Sequence, residues 1–105
     1  KNIKNKLEKT AEELVSINLS LGDAHKTLGD VLREKGNFKE SIEKYNFALT
    51  VGIKDISAPL AGIAAAYLAL DNTQNAIDNA NAAIRINPYN ELAQRILQDL
   101  GEWTD

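Results

Sequence analysis

Apolar residues recur at helical spacing along the 105-residue chain. Leu28 and Leu32 form one set, Ile42, Tyr45 and Leu49 a second, Ile63 and Tyr67 a third, and no strand-like alternation competes with them. The pattern also repeats. Laying residues 22–56 over 57–91 at an offset of 35 pairs Leu28 with Ile63, Gly29 with Ala64, Leu32 with Tyr67, Asn37 with Asn72, Ile42 with Ile77, Ala48 with Ala83 and Leu49 with Ile84. Self-similarity at such a period marks an array of stacked units, and each unit here reads as two helices.

The punctuation agrees with that division. Inside the first unit, Gly36 suits a left-handed residue, Asn37 a helix cap, and Glu40 the third position of a capping box. Asp71-Asn72-Thr73 takes the same place in the second unit, with Asn standing in for Gly. Gly52 to Asp55 ends one pair, Ser57 and Pro59 open the next, and Asn87-Pro88 closes it. Upstream, Leu14 to Leu19 lies over Ala83 to Pro88, so residues 3–19 read as the second helix of a partial preceding unit. Downstream, Leu92, Ile96, Leu97 and Leu100 place a capping helix over 91–100, followed by a short tail with Gly101, Trp103 and Asp105. The whole is expected to be one all-α domain over 1–105: antiparallel helix pairs at 22–56 and 57–90, a flanking N-terminal helix and a C-terminal cap.

These units resemble the tetratricopeptide (TPR) family. Its helix pair carries W-x2-L-G-x2-Y, then A-x3-F, then A and P. The first unit here has His25-x2-Leu28-Gly29-x2-Leu32, Ser41-x3-Tyr45 and Ala48; the second has Leu60-x2-Ile63-Ala64-x2-Tyr67, Ala76-x3-Ala80, Ala83 and Pro88. The likeness covers about two thirds of the chain, with one inserted residue in the first unit and no Pro near Ile53. Gly29, Ala48, Ala64 and Ala83 stand where neighbouring helices approach closely, and Ala48 and Ala83 are expected to be buried.

The resemblance implies a right-handed solenoid whose concave groove, lined by the first helix of each pair, holds an extended peptide or a helix of a partner protein. It places Asp23, Lys26, Asp30 and Arg33 in the groove from the first unit, and Ala58, Ala61, Ala65, Leu68 and Ala69 from the second. Family members that grip acidic chaperone tails use a Lys and Asn, then an Asn, then a Lys and Arg. Lys26 matches the first, but Asp30, Gly62, Leu92 and Ile96 occupy the other places; shifting the frame by one unit leaves Thr27, Ala58 and Gly62 instead. The carboxylate clamp is absent in both frames. The segment Ala58 to Leu70 carries no charge, so it is expected either to offer a shallow apolar floor to a partner, with Lys26 and Arg33 meeting acids at one end, or to be covered by residues 91–100 or by further repeats.

Charge and composition narrow the partners. The net charge is −3, with the excess acid in residues 57–105, so the concentrated Lys and Arg that neutralise phosphates are missing and nucleic acid is not an expected partner. The uncharged run at 56–70 is shorter than a bilayer span and holds Ser57, Pro59 and Gly62, so neither membrane insertion nor a signal peptide is expected. With no cysteine the redox compartment is unread, and a cytoplasmic address is only the default. The opening Lys1-Asn2-Ile3 and the lack of Met suggest processing or a segment of something longer.

Candidate chemistry is sparse. His25, the single histidine, stands where the family prefers an aromatic and has no nucleophile paired with it. Trp103 reads as a tail residue folding back onto apolar surface, with a binding anchor as the alternative. Lys39, Glu40, Glu43 and Lys44 pair at helical spacing on a solvated face. Phosphate loops, zinc-helix motifs and EF-hand loops do not occur, so no enzyme activity and no cofactor or metal is expected. The functional expectation is a protein-binding scaffold; the alternative is a structural segment that stacks on further repeats or self-associates through its open ends.

Overall fold

The computed structural model describes the backbone of residues 3–103 and the side chains of residues 13–103. The described chain is all-helical: α1 (Ile3–Glu34), α2 (Phe38–Val51), α3 (Ser57–Ala69), α4 (Thr73–Ile86) and α5 (Glu91–Asp99). Asp105, which the sequence places in the tail, lies outside the described residues.

The expected separation between a helix over 3–19 and another starting at 22 does not occur, because α1 runs unbroken through Leu19-Ser20-Leu21-Gly22. A single Gly costs a helix about 1 kcal/mol without breaking it. Gly22 is there for clearance instead: a Cβ on it would lie 1.9 Å from the Gly52 carbonyl oxygen, where the end of α2 crosses α1. At 1.5 Å per residue α1 is about 48 Å long. Its N-terminal part projects past the other helices, which accounts for extents of 62 × 31 × 17 Å and a radius of gyration of 16.4 Å, against about 13 Å for a compact chain of this size.

The turn inside each pair is built the same way. Gly36 is left-handed, and the N–H groups of Asn37 and Gly36 donate to the Leu32 and Arg33 carbonyls at 2.8 and 3.0 Å. Thirty-five residues on, the N–H groups of Asn72 and Asp71 donate to Tyr67 and Leu68 at 2.9 and 3.1 Å, and α5 ends alike at Gly101. These are Schellman closures, which return orphaned carbonyls of a helix end to bonded state. Two details differ from expectation. Asp71, and not Asn72, takes the positive φ of 60°, so an ordinary L-residue bears the strain that Gly36 avoids. Asn72 caps α4 by accepting from the Asn75 N–H at 3.2 Å, whereas Asn37 makes no side-chain cap to α2 and the capping box with Glu40 does not form.

Each helix packs on its neighbour in sequence; in addition α1 meets α3 and α3 meets α5, while α2 and α4 do not approach each other among the described residues. The core falls into two clusters. One holds Ile42, Tyr45, Ile63 and Ala66 between the first three helices. The other holds Ala61, Ala64, Ala80, Ala83, Ala93, Ile96 and Leu97, and Trp103 folds back onto it. Ala48 and Ala83 are both completely buried, as their small-residue spacing predicts.

Tyr45 joins the first three helices. Its ring is fully buried, and Cβ atoms built on Gly29 of α1 and Gly62 of α3 would come within 2.8 and 2.4 Å of it. Gly62→Ala is therefore expected to lower stability by about 1–2 kcal/mol in urea unfolding, overpacking against a confined ring outweighing the gain in helix propensity. A rise in stability would show that the ring can move aside.

Candidate functional site

Lys26, Asp30 and Arg33 are spaced four and three apart on α1, which puts them on one face. Asp30 lies between the two cations: its Oδ2 is 2.9 Å from Lys26 Nζ and its Oδ1 3.7 Å from Arg33 Nη2. From beneath, the Tyr45 hydroxyl donates to Asp30 Oδ1 at 2.5 Å and accepts from Arg33 Nε at 3.1 Å. The phenol thus holds both side chains in place, and the cluster keeps one net positive charge. Burial pushes the Tyr45 phenol up to about 12; the Arg33 hydrogen bond opposes the shift and the one to Asp30 adds to it.

Facing this cluster is the start of α3. Ser57 is buried, its N–H and hydroxyl both donate to Asp55 Oδ1, and it accepts from Asn90 Nδ2 at 3.0 Å. Asn90 also caps α5 by accepting from the Ala93 N–H at 2.9 Å. One side chain thereby ties the start of α5 to the start of α3. Between the three helices lies a hollow of about 210 Å³ lined by Lys26, Asp30, Arg33, Ala58, Ala61, Asn90 and Leu92. It is polar on the α1 side and apolar where Ala58, Ala61 and Leu92 meet.

Of the nine groove positions that the resemblance implies, Lys26, Asp30, Arg33, Ala58 and Ala61 come together here. Ala61 is 1% exposed, so it is floor and not contact surface. Ala65 and Leu68 turn toward the second core cluster, and Ala69 is exposed at the far end of α3; none of the three lines the hollow. Asp23 is exposed and also stands apart from it. Helix α5 packs along α3, which is the covering by residues 91–100 that the uncharged helix allowed for. Asn90 and Leu92 were not singled out as groove residues. The Asn90–Ala93 cap spacing was a legible signal for the first, but its reach to Ser57 spans 33 residues of sequence.

A larger hollow, about 580 Å³, lies elsewhere, between Lys39, Ile42, Tyr67, Leu70 and Asn72. It has a single charged group and no converging polar set. His25 sits outside both, with Nδ1 3.0 Å from the Leu21 carbonyl oxygen and its ring centroid 4.2 Å from that of Phe47, a packing role. Among the described residues no group of His, Asp and Glu converges as metal ligands would, and no helix is long and apolar enough to cross a membrane. Compared with protein-family models, curated proteins and solved structures, the chain matches none.

The Tyr45 phenol carries a pH signature. Its folded value lies above the ordinary value near 10, because the neutral form is the one that fits the buried site. The stability it contributes is complete below pH of about 10 and is lost as pH rises toward about 12, where the unfolded chain releases the proton more readily. Thermal melts across this range should show an alkaline loss in the parent that is reduced in Tyr45→Phe. At neutral pH, Tyr45→Phe should cost about 1–2 kcal/mol, since Asp30 and Arg33 lose their shared partner.

Proposed function

We propose that the chain is a non-catalytic, TPR-like protein-binding module that holds a peptide or helix of a partner in the hollow between α1, α3 and α5. The observation that carries this reading is the pairing, in one concavity, of a cation-rich cluster braced by Tyr45 with an apolar strip from Ala58, Ala61 and Leu92. The right-handed solenoid arrangement is part of the proposal. It is supported by the 35-residue repeat, by the matching turns at Gly36 and Asp71, and by the contacts of α1 with α3 and α3 with α5 while α2 and α4 stay apart.

The chemistry of the hollow selects a ligand class. Lys26 and Arg33 share Asp30, so about one positive charge is left for a guest, enough for one carboxylate and not for the array of acids that a two-carboxylate clamp recognises. The strip beside it suits one or two apolar side chains. A short segment with an apolar anchor followed by an acid fits both, through peptide contacts of the groove type. The overall charge of −3 makes nucleic acid a poor partner for such a surface.

Selecting peptides on the immobilised chain from a random display library, then measuring their affinity by calorimetry, tests this. Ala58→Glu, which fills the apolar end with charge, and Lys26→Ala should each weaken selected peptides by about tenfold or more. Ala69→Glu, outside the hollow, should leave them unchanged. Equal affinity of all three for peptides, with circular dichroism showing all three folded, would remove the hollow as the site. Ala61→Glu is not a suitable probe, because Ala61 is buried and a carboxylate there would unfold the packing.

A further inference from the structure

The continuity of α1 exposes a second apolar surface, on the side of that helix away from the hollow. Leu14, Ile17, Leu21, Ala24, Leu28 and Val31 are all exposed, the five large ones between 38% and 58%. They follow one another at steps of three, four, three, four and three. That is a heptad seam with Leu at every a position and Ile, Ala and Val at d, about 26 Å long. Gly22 and Gly29, where α1 packs closely on its neighbours, each follow a seam leucine by one residue, about 100° round the helix, so the packed face flanks the seam without covering it. The other helices of the chain therefore leave the seam open.

We propose that this seam pairs with the same seam of a second copy, forming an antiparallel two-helix interface. None of the six seam positions is charged, and the flanking positions near the middle, Asn18, Ser20 and His25, bear no carboxylate or lysine that would repel a second copy. The side-chain sizes select the direction. A parallel pairing in register would set Ala24 against Ala24, leaving a void, and would place Leu at a with Ile or Val at d, a pattern that disfavours parallel dimers. An antiparallel pairing centred near Leu19 sets Leu14 against Ala24 of the second copy and Ile17 against Leu21, twice each by symmetry. Every central layer then joins residues of complementary size. Phe47, exposed and stacked on His25 beside Leu21 and Leu28, widens the apolar border along one edge.

An exposed stripe of this length is larger than scattered surface hydrophobes account for, and an isolated projecting helix gains little stability from its own backbone. Pairing answers both. This interface is independent of the hollow between α1, α3 and α5, so the groove reading and the dimer stand or fall separately: Ala58→Glu should leave the dimer intact.

Sedimentation equilibrium of the chain, at concentrations from micromolar to several hundred micromolar, is expected to give a monomer–dimer equilibrium. Ile17→Glu lies beyond the packed body, so its fold should persist by circular dichroism while dimer affinity falls about a hundredfold. Because the chain lacks cysteine, direction can be read by oxidation. Chains carrying Ile17→Cys and Leu21→Cys should form a disulfide-linked pair when mixed and little when oxidised alone. A monomer at all concentrations overturns the proposal, as does dimerisation unaffected by Ile17→Glu; efficient crosslinking of each variant with itself overturns the antiparallel arrangement.

Discussion

The insertion of the Tyr45 ring between Gly29 and Gly62 is the contact on which the first half of the molecule depends. Helices α1, α2 and α3 meet at this one side chain, and they can do so only because two of the three positions lack a Cβ. The ring fills the space that would otherwise be a cavity, and its hydroxyl reaches out of the core to Asp30 and Arg33. A buried phenol needs partners for its polar end, and here the partners are also the charged wall of the hollow. Core packing and the candidate site are thus one structure viewed from two sides.

The second half solves the same geometric problem with the sizes exchanged. At the 35-residue offset, Tyr45 corresponds to Ala80, Gly29 to Ala64 and Gly62 to Leu97. Large, small and small become small, small and large, and all three members of the second set are buried in one cluster. Interiors tolerate such redistribution when total volume is kept. The consequence reaches the surface. Without a tyrosine at position 80 there is no hydroxyl to organise a polar cluster over the second pair, which leaves the charged wall of the hollow on α1 alone.

Helix α1 consequently serves two surfaces. One face provides Gly22 and Gly29 for close packing and Lys26, Asp30 and Arg33 for the hollow; another face carries the apolar heptad. A helix apolar on two sides is not satisfied by a single body. Its length makes the second face continuous, because the stretch before Leu19 and the stretch that packs on α2 belong to one unbroken helix.

Periodicity and punctuation by themselves determined the helical class, the pairing of helices, the turn at Gly36, the start of α3 at Ser57 and the burial of Ala48 and Ala83, since each depends on local spacing or on backbone geometry special to a few residue types. Lys26, Asp30 and Arg33 stood among the groove positions that the family resemblance implies, while the Tyr45 hydroxyl that joins Asp30 and Arg33 comes from another helix. What local signals could not supply was decided by tertiary contact. The repeat divides the chain between residues 19 and 22, whereas α1 runs unbroken there with Gly22 against the Gly52 carbonyl; with the division assumed, the heptad that runs through it is cut in two and disappears from view. Asp71 takes a left-handed conformation that costs it more than it costs Gly36, because the turn that packs α4 on α3 requires it. The separation of Ala61 from Ala65 and Leu68, and the arrival of Asn90 at Ser57, both follow from where α5 lies against α3, a contact between segments far apart in the chain that no window of sequence contains.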